Sequence, residues 1–118
     1  MEIPWGKTSL ALLGDSVASR DLPYGFAVWD PGFAVYHLTL RMDKDEFYRT
    51  YAGPPPSIFF CDADHSYEAT KADILWARSV QASVICGDDY DHPYQRGTAQ
   101  AVDELGGPKR LAGGLFVM

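Results

Sequence analysis

Two short apolar runs, each closed by a cluster of acids, constrain the fold of this chain more than any other feature. Ser57-Ile58-Phe59-Phe60-Cys61 leads into Asp62-Ala63-Asp64-His65, and Ser83-Val84-Ile85-Cys86 leads through Gly87 into Asp88-Asp89. Runs of this length, apolar without alternation, read as strands buried on both faces, the pattern of a central parallel strand. Between them, residues 67–80 place Ala69, Ala72, Leu75, Trp76 and Val80 on one helical stripe. Strand, helix, strand is the repeating unit of a parallel α/β sheet.

The rest of the chain fits the same scheme. Met1-Glu2-Ile3 reads as the tail of a strand. Residues 5–18 read as a helix, with Leu10, Leu13 and Val17 at helical spacing and Thr8 or Ser9 as the cap. Residues 25–29 form an apolar run that stops at Asp30-Pro31-Gly32, and residues 33–40 form a second strand rich in aromatic and branched side chains. Asp43 opens a short helix through Tyr51, and Gly53-Pro54-Pro55-Pro56 is a stiff connector. Residues 98–105 form a helix that Gly106-Gly107-Pro108 stops, and residues 111–118 supply a closing strand or half a hairpin. The expected fold is a single α/β domain over residues 1–118, with a mostly parallel sheet and helices on both faces.

Charge narrows the partners. Ten Lys and Arg face sixteen acids, for a net charge of −6. Clustered cations are what phosphate contacts require, so nucleic acid is excluded as a partner. A small molecule, or a metal held by carboxylates, fits better. No apolar stretch reaches the ~20 residues of a membrane span. No basic start leads into an apolar leader, so the expected compartment is the cytoplasm. Cys61 and Cys86 each end an apolar run and read as reduced, buried residues.

In open α/β sheets, ligands bind at the carboxyl ends of the strands. Here three strands end in acid, at Asp30, Asp62 and Asp88. A purely structural role competes at each, since Asp62 could cap the next helix and Asp88 or Asp89 could bind loop backbone. His65 follows the first acidic cluster, and imidazole suits proton removal from a hydroxyl near neutral pH. Capping the helix at Tyr67 or binding Asp64 would be its structural alternative. His92, in an Asp-His-Pro turn, reads as an exposed loop residue, and His37 as structural. Gly6-Lys7-Thr8-Ser9 is not a phosphate loop, because Met1 stands where that motif needs its first glycine.

The run Phe59 to Glu68, with Lys71-Ala72-Asp73-Ile74, resembles the fourth-strand signature of small class I S-adenosylmethionine-dependent methyltransferases of the methyltransferase domain 24 type. Val84 to Pro93 is similar to that family's fifth strand, and Ala101-Val102-Asp103-Glu104 to its following helix. The order and spacing agree over residues 57–118. Upstream, Glu2-Ile3 with Gly6-Lys7-Thr8-Ser9 is similar to the first loop, Phe26 to Asp30 to the second strand, and Arg41 to Phe47 to the stretch after the third. The resemblance implies a Rossmann-like class I methyltransferase sheet and transfer of a methyl group from S-adenosylmethionine to a sugar or phenolic hydroxyl of a small acceptor.

By the same resemblance, Glu2, Gly6, Asp30, Asp43 and Asp62 bind the cofactor and His65 is the catalytic base. Asp62, Asp88 and Asp89 stand where the metal-dependent O-methyltransferases hold their ion, with Mg2+ the candidate. Pro4 occupies the place of the first loop glycine, and only Pro31-Gly32 separates Asp30 from Phe33. The expectation is therefore a truncated or minimal version of the fold. A catalytically silent binding module is the alternative function. The expected assembly is a homodimer formed through the sheet face or edge left uncovered.

Overall fold

Thr8–Leu12 (β1), Gly25–Asp30 (β2) and Val35–Leu40 (β3) lie in one three-stranded sheet with the order β1-β3-β2. The computed structural model describes residues 8–12, 25–30, 32, 35–40 and 43–118, with backbone alone for these three strands. β1 runs parallel to β3, whereas β2 runs antiparallel to it, from Gly25 opposite Leu40 to Asp30 opposite Val35. The strand at Thr8–Leu12 replaces part of the helix expected over residues 5–18. A stripe of three residues, Leu10, Leu13 and Val17, is a weak helix signal. The Thr-Ser-Leu-Ala-Leu segment satisfies its backbone groups on β3 instead. Glu2 and Gly6, which the resemblance places in a cofactor loop, lie outside the described residues.

Lys44–Thr50 (α1) starts where expected. Asp43 caps it by accepting the Asp45 amide at 2.7 Å, and Asp45 and Glu46 place negative charge in its first turn. Phe47 is its buried anchor, with the rings of Tyr48 and Tyr51 beside it.

The chain divides into two compact units, Met1–Pro54 and Pro55–Met118. The second holds a four-stranded sheet of order β4-β5-β7-β6, built from Ile58–Cys61 (β4), Val84–Gly87 (β5), Arg110–Ala112 (β6) and Leu115–Val117 (β7). β4 and β5 are parallel, while β7 is antiparallel to both β5 and β6. The sheet is therefore mixed, and the expectation of a mostly parallel sheet is corrected. The closing segment turns back on itself at Gly113-Gly114, where Gly113 takes φ +62, a backbone conformation open to glycine at little cost. A hairpin of that kind can only be antiparallel.

Tyr67–Ser79 (α2) covers one side of this sheet, with Gly97–Glu104 (α3) packed against it. Ser66 caps α2 by accepting the Ala69 amide. The buried stripe is Thr70, Asp73, Ile74 and Ala77, not the expected Ala69, Ala72, Leu75, Trp76 and Val80. Hydropathy alone cannot find this stripe, because two of its members are polar. Thr70 bridges to Thr98 of α3, and Asp73 lies 3.3 Å from the Cys61 thiol. With their polar atoms partnered, both can be buried.

Pairing puts Phe59, Cys61, Ile85 and Phe116 on the helix side, where all four are buried and the Phe59 and Trp76 rings lie 5.6 Å apart. Ile58, Phe60 and Val84 alternate onto the other side and are 61%, 48% and 39% exposed. β4 is thus buried on one face only, which corrects the expectation of a strand covered on both. Among the described residues, neither cysteine is in a disulfide, with Cys61 buried and Cys86 partly so. No helix of the described residues is long and apolar enough to cross a membrane.

Candidate functional site

The second sheet brings two acidic loops side by side. Cys61 pairs with Gly87 at the carboxyl ends of β4 and β5, and the Asp88 amide reaches back to the Cys61 carbonyl at 3.3 Å. Asp62 to Ser66 therefore faces Asp88 to Tyr90 across one strand spacing. Asp64 accepts the Ser66 amide at 2.8 Å, which tightens the first loop into the start of α2. The second loop is fastened at several points. The Tyr90 amide donates to the Gly114 carbonyl at 3.0 Å, the Tyr90 hydroxyl donates to Asp103 at 2.7 Å, and Arg96 donates to the carbonyls of Tyr90 and His92, each at 3.2 Å.

Asp89 takes φ +66, a left-handed conformation uncommon for a residue with a Cβ, although Asp tolerates it better than most. Its carboxylate lies 2.5 Å from Nε2 of His65, and an Asp62 oxygen lies 3.8 Å from the same nitrogen. Ligand atoms of Asp62, His65 and Asp89 all fall within 4.8 Å of one another. His65 and Asp89 are roughly three-quarters shielded from solvent, whereas Asp62 is about half exposed. Burial raises the Asp62 carboxyl above the usual aspartate range, and the charges of Asp89 and Asp88 raise it further against the pull of His65. An open crevice of about 440 Å3 adjoins the cluster, lined by Ala63, Asp64, His65, Ser66, Gln95 and Gly97.

Of the residues the sequence singles out, the structure brings together Asp62, His65 and Asp89. Asp88 is not in that group. Its Oδ1 lies 2.9 Å from where a Cβ on Gly114 would stand, so it faces the β6–β7 turn. Asp43 is used as the cap of α1. Asp30 pairs with Val35 at the beginning of β3, whereas Asp43 follows the other end of that strand.

The donor set offers a cation two carboxylates and an imidazole. Two ligands at right angles about 2.1 Å from Mg2+ are about 3 Å apart, and Mg2+ prefers oxygen throughout. His65 and Asp89 stand closer than that, hydrogen-bonded to each other, and Asp88 is turned away. As arranged, the cluster does not fit Mg2+.

Sequence reasoning passes over Gln95 and Gly97 as lining residues, and over the contacts of His92. Its Nδ1 accepts the amides of Tyr94 and Gln95, at 3.1 and 2.9 Å, so this ring organises its own loop. Gly97 carries a readable signal, a glycine at the start of a helix, but the reason for it is spatial. A Cβ there would meet the backbone of His65, Ser66 and Tyr67 at 2.5 to 2.8 Å. No family model, curated protein or solved structure matches this chain.

Proposed function

We propose that this chain transfers a methyl group from S-adenosylmethionine to a hydroxyl oxygen of a small molecule, a sugar or a phenol, on a Rossmann-like domain of the class I methyltransferase type. The motif resemblance over residues 57–118 brings the reading. The observation that carries it is the convergence of Asp62, His65 and Asp89 at the carboxyl ends of two parallel strands, beside a crevice of small-ligand size.

The chemistry asks two things of the protein. It must align the acceptor oxygen with the sulfonium methyl for in-line displacement, and it must take the hydroxyl proton as the oxygen attacks. His65 is the base. Asp62 and Asp89 offset the positive charge that the imidazole gains. The resemblance assigns the ribose and adenine to Asp30 and Asp43, and the methionine end to Glu2 and the loop at Gly6. The proposed compartment is the cytoplasm, and the proposed assembly is a homodimer, supported by the exposed apolar side of β4 and β5.

A binding module without turnover is the second reading. It is favoured by the use of Asp43 as a helix cap and by the position of Asp30 at the opposite end of β3. Isothermal titration of the chain with S-adenosylmethionine, with and without Mg2+, tests both, with Asp30→Ala as the control. Micromolar binding that is lost in the control supports a working donor site. Binding without methyl transfer to any hydroxyl acceptor supports the module. A folded chain that does not bind removes the methyltransferase reading.

A further inference from the structure

We propose that Asp89 is a positioning residue that fixes the tautomer of His65, so that Nδ1, not Nε2, is the nitrogen that accepts the substrate proton. The proposal rests on the methyl-transfer reading for the identity of the proton donor, but its geometry stands apart from it. An ionised carboxylate only accepts, so with Asp89 ionised the 2.5 Å contact to His65 places the proton on Nε2. In the neutral ring the remaining lone pair is then on Nδ1.

Two further observations separate this contact from a chance surface pair. Asp89 holds its carboxylate there from a left-handed backbone, a conformation that persists when surrounding contacts over-determine it. Those contacts are present. The Asp88 amide is tied to Cys61, the His92 amide donates to the Asp89 carbonyl at 3.3 Å, and the Tyr90 amide is tied to Gly114. His65 is also the group of the cluster that lines the crevice. Its base function and its orienting partner thus come from different strand-end loops.

The step balances. The acceptor oxygen forms a bond to the methyl carbon as the sulfur–methyl bond breaks, and its electron pair returns to sulfur as a neutral thioether. The hydroxyl proton passes to Nδ1 of His65, and the imidazolium remains hydrogen-bonded to Asp89 through Nε2.

The test uses the full chain and Asp89→Asn, which keeps the tolerance for positive φ that alanine lacks. Nitrogen-15 and proton NMR of the histidine rings reads the tautomer without substrate. In the wild type, the His65 Nε2 proton is expected far downfield and slow to exchange. In the variant that signal is lost, because the amide NH2 can donate to Nε2 and move the proton to Nδ1. With S-adenosylmethionine and an accepted hydroxyl substrate, kcat is expected to fall about 10²- to 10⁴-fold, with the KM for S-adenosylmethionine little changed. A wild type with the proton on Nδ1 overturns the proposal, as does a variant with altered tautomer and unaltered kcat. If the wild type neither binds S-adenosylmethionine nor turns over, the methyl-transfer reading fails, and the ring signals alone decide whether Asp89 positions His65.

Discussion

Asp62 shows how closely packed acids leave a mark on stability. Its carboxyl is raised first by burial and then by Asp89 and Asp88. A carboxyl with a raised folded-state pKa binds its proton more tightly in the folded chain. Its contribution is therefore full below the unfolded value, near 3.9, and is lost as pH rises through the folded value. Asp62→Asn removes the charge at every pH. Melting temperatures of the two proteins should coincide at about pH 3, and the variant should melt higher at neutral pH. Solvent screening at this half-exposed side chain limits the gain to roughly 1–2 °C. High salt should shrink it further. Calorimetry across pH checks this, and equal melting temperatures at pH 7 count against it. The acids were legible as strand ends, and His65 as their neighbour. The choice of Asp89 over Asp88 was not, because it depends on a single left-handed residue inside an Asp-Asp pair. Either carboxylate could have faced His65 on spacing alone.

At the scale of elements, the site depends on how closely α3 approaches the loop before α2. Two effects oppose each other at Gly97. Helix propensity alone says that alanine stabilises a helix relative to glycine by up to about 1 kcal/mol. The close approach says the reverse, since a Cβ would stand 2.5 Å from the Tyr67 amide nitrogen and 2.6 Å from the His65 carbonyl oxygen. Both are backbone atoms, which cannot swing aside. Overpacking of this kind costs about 1–3 kcal/mol, so destabilisation should win, and Gly97→Ala should lower the urea midpoint. The same shift moves the His65 loop away from Asp89, so the downfield ring proton should weaken as well. A more stable variant with an unchanged ring signal would mean that propensity outweighs the contact. Most elements could be read beforehand. Asp43 marks a true helix start and both apolar runs are strands, whereas the cap of α2 is Ser66 and not Asp62 or His65. Faces were harder to read. Phe59 and Phe60 look alike in sequence, yet one packs on Trp76 and the other is exposed, because alternation along a strand is decided by which side receives the helix.

For the molecule as a whole, the division after Pro54 bears on how stability is distributed. The run Gly53-Pro54-Pro55-Pro56 reads as a stiff connector from sequence, and the boundary between units falls within it. What the sequence did not disclose is that strands on either side of it join separate sheets. Alternating strands and helices look the same whether they add to one sheet or begin a second. Residues 55–118 contain a core of their own, in which Phe59, Ile74, Ile85, Val102 and Phe116 are buried. Lys71 and Glu104, 3.0 Å apart with Tyr67 donating to Glu104, clasp the two helices, though at the surface such pairs add little. A domain of about 60 residues buries only about 60% of its unfolded surface, so its stability is marginal. The half-exposed Ile58, Phe60 and Val84 add less to it than buried side chains would. We expect an excised 55–118 chain to fold cooperatively and reversibly, with a free energy of no more than about 3–5 kcal/mol and the low urea m-value of a small domain, near 1 kcal/mol per molar. Circular dichroism through a urea titration measures both. A midpoint equal to that of the full chain makes the second unit independent, and with it the Asp62–His65–Asp89 cluster, which lies wholly inside it. A chain without a transition makes that core, and the cluster's geometry, dependent on the first 54 residues.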